Sequence, residues 1–174
     1  MKKIEKYFVE IVLAIVLILD GAINLLLPFI GYGNVRIILG FTFGIIALIN
    51  FVGVVKKPKD KDYENLFSCI TSLAVCILSL VLPKRPSNLA LVLLLYVMIM
   101  SLIRLKKADF YHDRKNKIWR INIITLGLFI LTGILTSLNL YYQSEVQVLM
   151  FGYFFLINGI LELIDPLVLY LKEN

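Results

Sequence analysis

Six long apolar stretches alternate with short polar ones along the chain. They run from about Tyr7 to Ile30, Ile37 to Val55, Leu66 to Leu82, Leu89 to Ile103, Ile121 to Tyr142, and Val146 to Asp165-Pro166. An apolar tail, Leu167 to Leu171, follows the last. A membrane helix needs about 20 mostly apolar residues. The fourth stretch approaches that length if Pro86 supplies its first turn. Stretches three and four are short for about 30 Å of hydrocarbon, so they are expected to stand nearly upright or to thin the bilayer locally. Gly31-Tyr32-Gly33-Asn34 reads as a tight turn. Pro83-Lys84-Arg85-Pro86-Ser87 reads as a second, with one proline ending a helix and the other opening the next. Met1-Lys2-Lys3 before an apolar run also fits a signal peptide. The run is long and no Ala-x-Ala site closes it, so it reads as an uncleaved span.

Composition narrows the class. Hydrophobic residues make up 60% of the chain and charged ones 17%, with a mean hydropathy of +0.88. Soluble domains average about 45–50% apolar and about 25% charged. These values exclude a soluble globular enzyme, a disordered tail, a collagen-like fibre and a disulfide-stapled secreted domain. Six spans use about 120 residues, so residues 1–174 are expected to form one transmembrane domain: an all-α, integral-membrane six-helix bundle. The two cysteines, Cys69 and Cys76, sit two turns apart, about 10 Å along one helix, beyond the roughly 7 Å Cα reach of a disulfide. The one histidine is His112, so a histidine cluster for metal binding or catalysis is not expected, and no cofactor is.

Charge then sets orientation. The connections on one side carry Lys2, Lys3 and Lys6, then Lys56, Lys57, Lys59 and Lys61, then Arg104, Lys106, Lys107, Arg114, Lys115, Lys117 and Arg120, and finally Lys172. The other side carries Arg36, Lys84 and Arg85. Fifteen basic residues against three is a strong positive-inside asymmetry, which predicts both termini in the cytoplasm. The same asymmetry accounts for the formal net charge of +6 without nucleic acid as a partner.

The chain also repeats. Glu10, Ala14, Leu17, Gly21, Asn24 and Pro28 of the first stretch shift by 55 onto Asn65, Cys69, Ser72, Cys76, Ser79 and Pro83. A further shift of 57 lands on Asn122, Leu126, Phe129, Gly133, Thr136 and Leu140. Each set follows one helix face. Among the even-numbered stretches Asn50, Ser101 and Asn158 fall at matching places, and Gly44 matches Gly152. The pattern predicts three helical hairpins, about 7–55, 64–106 and 119–171. With the basic loop after span four and the closing Gly-Tyr-Phe-Phe-Leu-Ile-Asn-Gly-Ile-Leu-Glu-Leu-Ile (Gly152 to Ile164), it resembles the HdeD-like family of short-repeat membrane proteins, whose namesake is an acid-resistance membrane protein. The resemblance covers nearly the whole chain and carries no catalytic signature. It implies a bacterial cytoplasmic (inner) membrane protein connected with envelope or acid stress.

Few residues bear chemistry. Asp20 lies deep in the first span, where a carboxylate costs roughly 2.5–3.5 kcal/mol to insert. Asn24, one turn on, can share its face. With no Lys or Arg at that depth, Asp20 is expected to be neutral or hydrogen-bonded to amides and hydroxyls. It reads either as a proton or cation site or as a polar contact between helices. Asn158 and Glu162, at i and i+4, form a second pair, with Asp165 beyond. Glu162 is within reach of Arg104, Lys106 or Lys107, so an interfacial ion pair is expected. Asn50 can reach either set, which makes Asp20, Asn24, Asn50, Asn158 and Glu162 the candidate polar site. Asn122, Thr125, Thr132, Thr136 and Asn139 stripe the fifth span. Gly40 and Gly44 form a GxxxG packing motif whose partner the sequence leaves open. Arg104, Lys106, Lys107, Arg114, Lys115, Lys117 and Arg120, interleaved with Phe110, Tyr111 and Trp119, are candidates for anionic-lipid headgroup contact at the cytoplasmic face.

There is no Walker loop, Gly-x-Ser-x-Gly, His-Glu-x-x-His or Cys-x-x-Cys, and Asp20 and Asp165 sit at different depths, so no enzyme is expected. Three functions remain: an HdeD-like stress protein, a transporter or solute-binding subunit using the Asp20 site, and an immunity-type or chaperone-like membrane partner. The bilayer is the expected partner, with a second copy or another membrane protein beside it.

Overall fold

The computed structural model describes residues 8–26, 32–56, 63–82, 85–115, 117–142 and 146–172. These form six helices with no strand among the described residues: α1 (Phe8–Leu26), α2 (Tyr32–Lys56), α3 (Tyr63–Val81), α4 (Pro86–Asp113), α5 (Ile118–Tyr141) and α6 (Gln147–Lys172). All six are long and apolar enough to cross a membrane. Pro86 occupies the first turn of α4 behind Arg85, where its missing N–H costs nothing.

Three boundaries differ from the sequence reading. Tyr32, Gly33 and Asn34 belong to α2 rather than to a turn, while Gly31 lies outside the described residues. α6 continues through Pro166 to Lys172, so the apolar tail is helical. Helix α4 runs ten residues beyond Ile103, and the expected basic loop is mostly its last turns. Only a short connection around Arg114 and Lys115 joins it to α5, and Lys115 makes the bend at φ 53.

The bundle is apolar outside, and its buried interior mixes apolar side chains with the polar ones. Phe41, Leu48, Leu102 and Ile124 are exposed, whereas Asn24, Asn50, Ser79, Thr136 and Asn158 are buried. An outer surface of this kind suits lipid, where polar groups must find partners within the protein. The repeat-matched positions find equivalent ones. Asn50, Ser101 and Asn158 each donate to the carbonyl four residues back, at 2.9, 2.6 and 2.7 Å. Asn24, Ser79 and Thr136 donate to carbonyls of their own preceding turn, each at 2.8 Å.

Helices adjacent in sequence are adjacent in space, and α6 closes the ring on α1. The contacts alternate in closeness. α1 packs tightly on α6, α2 on α3, and α4 on α5; α1–α2, α3–α4 and α5–α6 meet lightly. The helices of each expected hairpin therefore touch least, and the closest packing joins one hairpin to the next. Small residues set this order. A Cβ on Gly21 would stand 2.8 Å from the Gly152 carbonyl oxygen, and one on Gly159 the same distance from that of Ala14. The GxxxG partner is α3: Gly40 meets Leu80 and Ser79, and Gly44 meets the Cys76 sulfur. Arg36 of α2 donates its guanidinium to the Ser79 and Leu80 carbonyls, capping the end of α3 that its own backbone cannot satisfy.

Candidate functional site

One end of the ring gathers the start of α1, α3 and α5 and the finish of α2, α4 and α6. A cavity of about 50 Å³ opens there. Helix register sorts its wall into three levels. At the mouth stand Glu10, Glu64, Arg104, Lys107 and Glu162; below them come Asn50, Asn65, Ser68 and Asn158; deepest are Leu17, Phe43, Tyr96, Phe154 and Phe155. From Glu162 down to Phe155 is about 10 Å of helix.

The floor is closed by aromatic rings in a cycle. Phe43 meets Tyr96 at 4.5 Å between centroids, Tyr96 meets Phe129 at 6.3 Å, and Phe129 meets Phe154 at 6.0 Å. Phe154 meets Phe155 at 5.6 Å, and Phe155 returns to Phe43 at 6.0 Å. These separations lie in the favourable edge and offset range, and the four phenylalanines are almost completely buried. The cavity is a blind vestibule, not a pore.

Its mouth is held by cross-helix ion pairs. Arg104 of α4 bonds Glu162 of α6, and the guanidinium also lies 4.2 Å over the Phe129 ring. Lys107, one turn on, reaches Glu64 of α3 at 3.1 Å. Arg104 and Lys107 therefore turn toward the vestibule mouth. The other five, Lys106, Arg114, Lys115, Lys117 and Arg120, are exposed. Arg114 lies over Phe110 at 4.0 Å.

The candidate polar site divides. Asn50, Asn158 and Glu162 meet around the vestibule. Asp20 and Asn24 lie one to two turns beyond its floor, where Thr42 Oγ1 donates to Asp20 Oδ2 at 3.1 Å and Asn24 bonds the Asp20 carbonyl at 2.8 Å. Of the fifth-span stripe, Asn122 and Thr125 line a small cleft with Glu64, Arg104, Lys107 and Glu162. Asn139 is bonded back to its own helix, and Thr136 also reaches the Met150 carbonyl of α6 at 3.3 Å. The side chain of Asp165 lies outside the described residues.

Sequence reasoning missed Glu10, Glu64, Asn65, Ser68 and the aromatic floor. Glu10 and Asn65 are repeat-matched positions, a signal that was available. Two buried amides stand out. Asn158 is 3% exposed and Asn122 4% exposed. The Asn158 Nδ2 is used on Phe154, but among the described residues its Oδ1 has no donor and neither amide atom of Asn122 has a partner. Outside the vestibule, Asp109, His112 and Asp113 bring one donor atom each within 4.8 Å of one another, all exposed. That grouping was not expected from a chain with one histidine.

The class defined by this arrangement is a six-span helical membrane bundle with a one-ended polar vestibule. Residues 12–84, from α1 through α3, match the family described as a short repeat of unknown function (DUF308). No curated protein and no solved structure matches the chain.

Proposed function

We propose that the chain is a non-enzymatic, multi-pass protein of the bacterial cytoplasmic membrane that receives a small solute from the cytoplasmic side. The vestibule carries this reading: it is blind, polar in its upper part, and has a buried amide acceptor with no donor among the described residues. A buried polar atom left without a partner costs about 1–3 kcal/mol, which a bound solute or water relieves. The cytoplasmic assignment of the vestibule end rests on the positive-inside asymmetry. The charges at its mouth are joined in cross-helix pairs, an arrangement suited to holding a shape rather than to moving protons.

A cysteine at Ser68, in a background with Cys69→Ala and Cys76→Ala, tests this directly. A membrane-impermeant maleimide is expected to label it in inside-out vesicles and not in intact cells. Labelling from outside, or from neither face, refutes the reading. The short-repeat match supports an HdeD-like role in envelope or acid stress as a companion proposal. A deletion strain with unaltered survival under both stresses would remove that role.

A further inference from the structure

On the outer face of the bundle, at the vestibule end, α4 and α5 part around an open cleft of about 440 Å³. Its wall lies wholly within the described stretches 85–115 and 117–142. Helix register grades that wall by depth. Toward the hydrocarbon stand Leu105 and Ile123, 47% and 41% exposed, with the small Ala108 buried beside them. Toward the helix ends stand Asp109, His112 and Trp119, the indole edge-on to the His112 ring at 5.0 Å between centroids. Lys106 enters the wall about 4.5 Å of helix deeper than Asp109.

Lys106 and Asp109 are opposite charges three residues apart, both exposed. They make no ion pair with each other or with any other described residue. A ligand in the cleft therefore meets, in order from the hydrocarbon outward, an apolar wall, a cation and a carboxylate. That is the complement of a phospholipid ending in an amine: acyl chain, phosphate, ammonium. An anionic lipid fills only part of it, because its phosphate suits Lys106 but no cation follows for Asp109. A choline headgroup brings the cation without an N–H for the carboxylate to accept. A water-soluble phosphoamine leaves Leu105 and Ile123 uncovered. An ethanolamine phospholipid meets all three levels, with a charge-assisted hydrogen bond at the last, and the headgroup level is where an indole ring is favoured.

We propose that the α4–α5 cleft is a docking site for one ethanolamine phospholipid of the adjoining leaflet. Lys106 takes the phosphate, Asp109 the ammonium, and Leu105 and Ile123 an acyl chain. The site is separate from the vestibule and does not depend on what the vestibule binds.

Trp119 is the only tryptophan and lines the cleft, so its fluorescence reads this place alone. The test reconstitutes the full-length protein in phosphatidylcholine vesicles and mixes in, one at a time, ethanolamine, glycerol and choline phospholipids with brominated chains, which quench a nearby indole. The ethanolamine lipid is expected to quench Trp119 at an about two- to fivefold lower mole fraction than the other two. Asp109→Asn, at an exposed position and undemanding of the fold, is expected to bring it level with the choline lipid. Asp113→Asn, one turn on and outside the cleft wall, is expected to keep the preference. Equal quenching by the three lipids, or stronger quenching by the glycerol lipid, overturns the proposal. So does an ethanolamine preference that survives Asp109→Asn, or one that Asp113→Asn removes equally.

Discussion

The α1–α6 contact makes a signed prediction about two glycines. Replacing a mid-helix glycine by alanine ordinarily stabilises a helix by about 0.8–1 kcal/mol. At Gly21 the new Cβ would stand 2.5 Å from the Leu156 nitrogen and 2.8 Å from both the Leu156 Cα and the Gly152 oxygen. All three are backbone atoms and cannot rotate aside. Ordinary contact begins at 3.4 Å, so the two helices must part by about 0.9 Å. A gap of about 0.5–1 Å forfeits a quarter to a half of each dispersion contact along the interface, and overpacking of this kind costs about 1–3 kcal/mol. At the middle of that range the penalty exceeds the propensity gain by about 1 kcal/mol, and Gly21→Ala is expected to destabilise by up to about 2 kcal/mol net. Gly127 on α5 is the internal control. Nothing lies within 4 Å of its Cβ position, so Gly127→Ala is expected to gain up to about 1 kcal/mol. Reversible unfolding in mixed micelles, followed by far-UV circular dichroism, reads both. If Gly21→Ala is as stable as the parent, α1 and α6 do not approach at Gly21 as described.

Two further substitutions probe polar contacts. Arg104 and Glu162 are only 14% and 20% exposed, so Arg104→Ala and Glu162→Ala each strand a charge and are expected to cost about 3 kcal/mol; the double variant is expected to cost clearly less than their sum, and strict additivity in the same unfolding assay would show the pair to be uncoupled. Asp20→Asn keeps an oxygen for Thr42 and is expected to unfold within about 0.5 kcal/mol of the parent, while Asp20→Leu leaves the Thr42 hydroxyl seeking another acceptor and is expected to lie about 1 kcal/mol lower. Equal stability of the two would show that the Thr42 bond does not hold the acid.

The spans were legible because lipid imposes a length and a polarity that any sequence must display. Hydropathy says nothing of neighbours, so the pairing of helices was not. The signal existed: Ala14 and Gly21 are seven apart on α1, Gly152 and Gly159 seven apart on α6, two notches of equal pitch that fit each other. The end of α4 was misplaced for a related reason. Arg104 and Lys107 stop an apolar stretch, but three residues apart they share one helix face, and Glu162 and Glu64 receive them there. In the vestibule, Asn50 and Asn158 were conspicuous as amides within hydrocarbon-length stretches. Glu10 and Glu64 sit near helix starts, where acidic residues are commonplace, and Phe43 and Tyr96 look like any other lipid-span aromatics until four helices bring their rings together.

The first helix has its closest partner in the last. During synthesis, α1 leaves the ribosome well before α6 exists, so its glycine notch must wait in the bilayer while α2 to α5 are made. Until then the nascent chain is an open arc whose two ends have not met. A chain stopped after Tyr142 would hold five helices and still lack the seam that shuts the circle, and Asn158, Glu162 and two of the five rings of the aromatic floor would be missing with it.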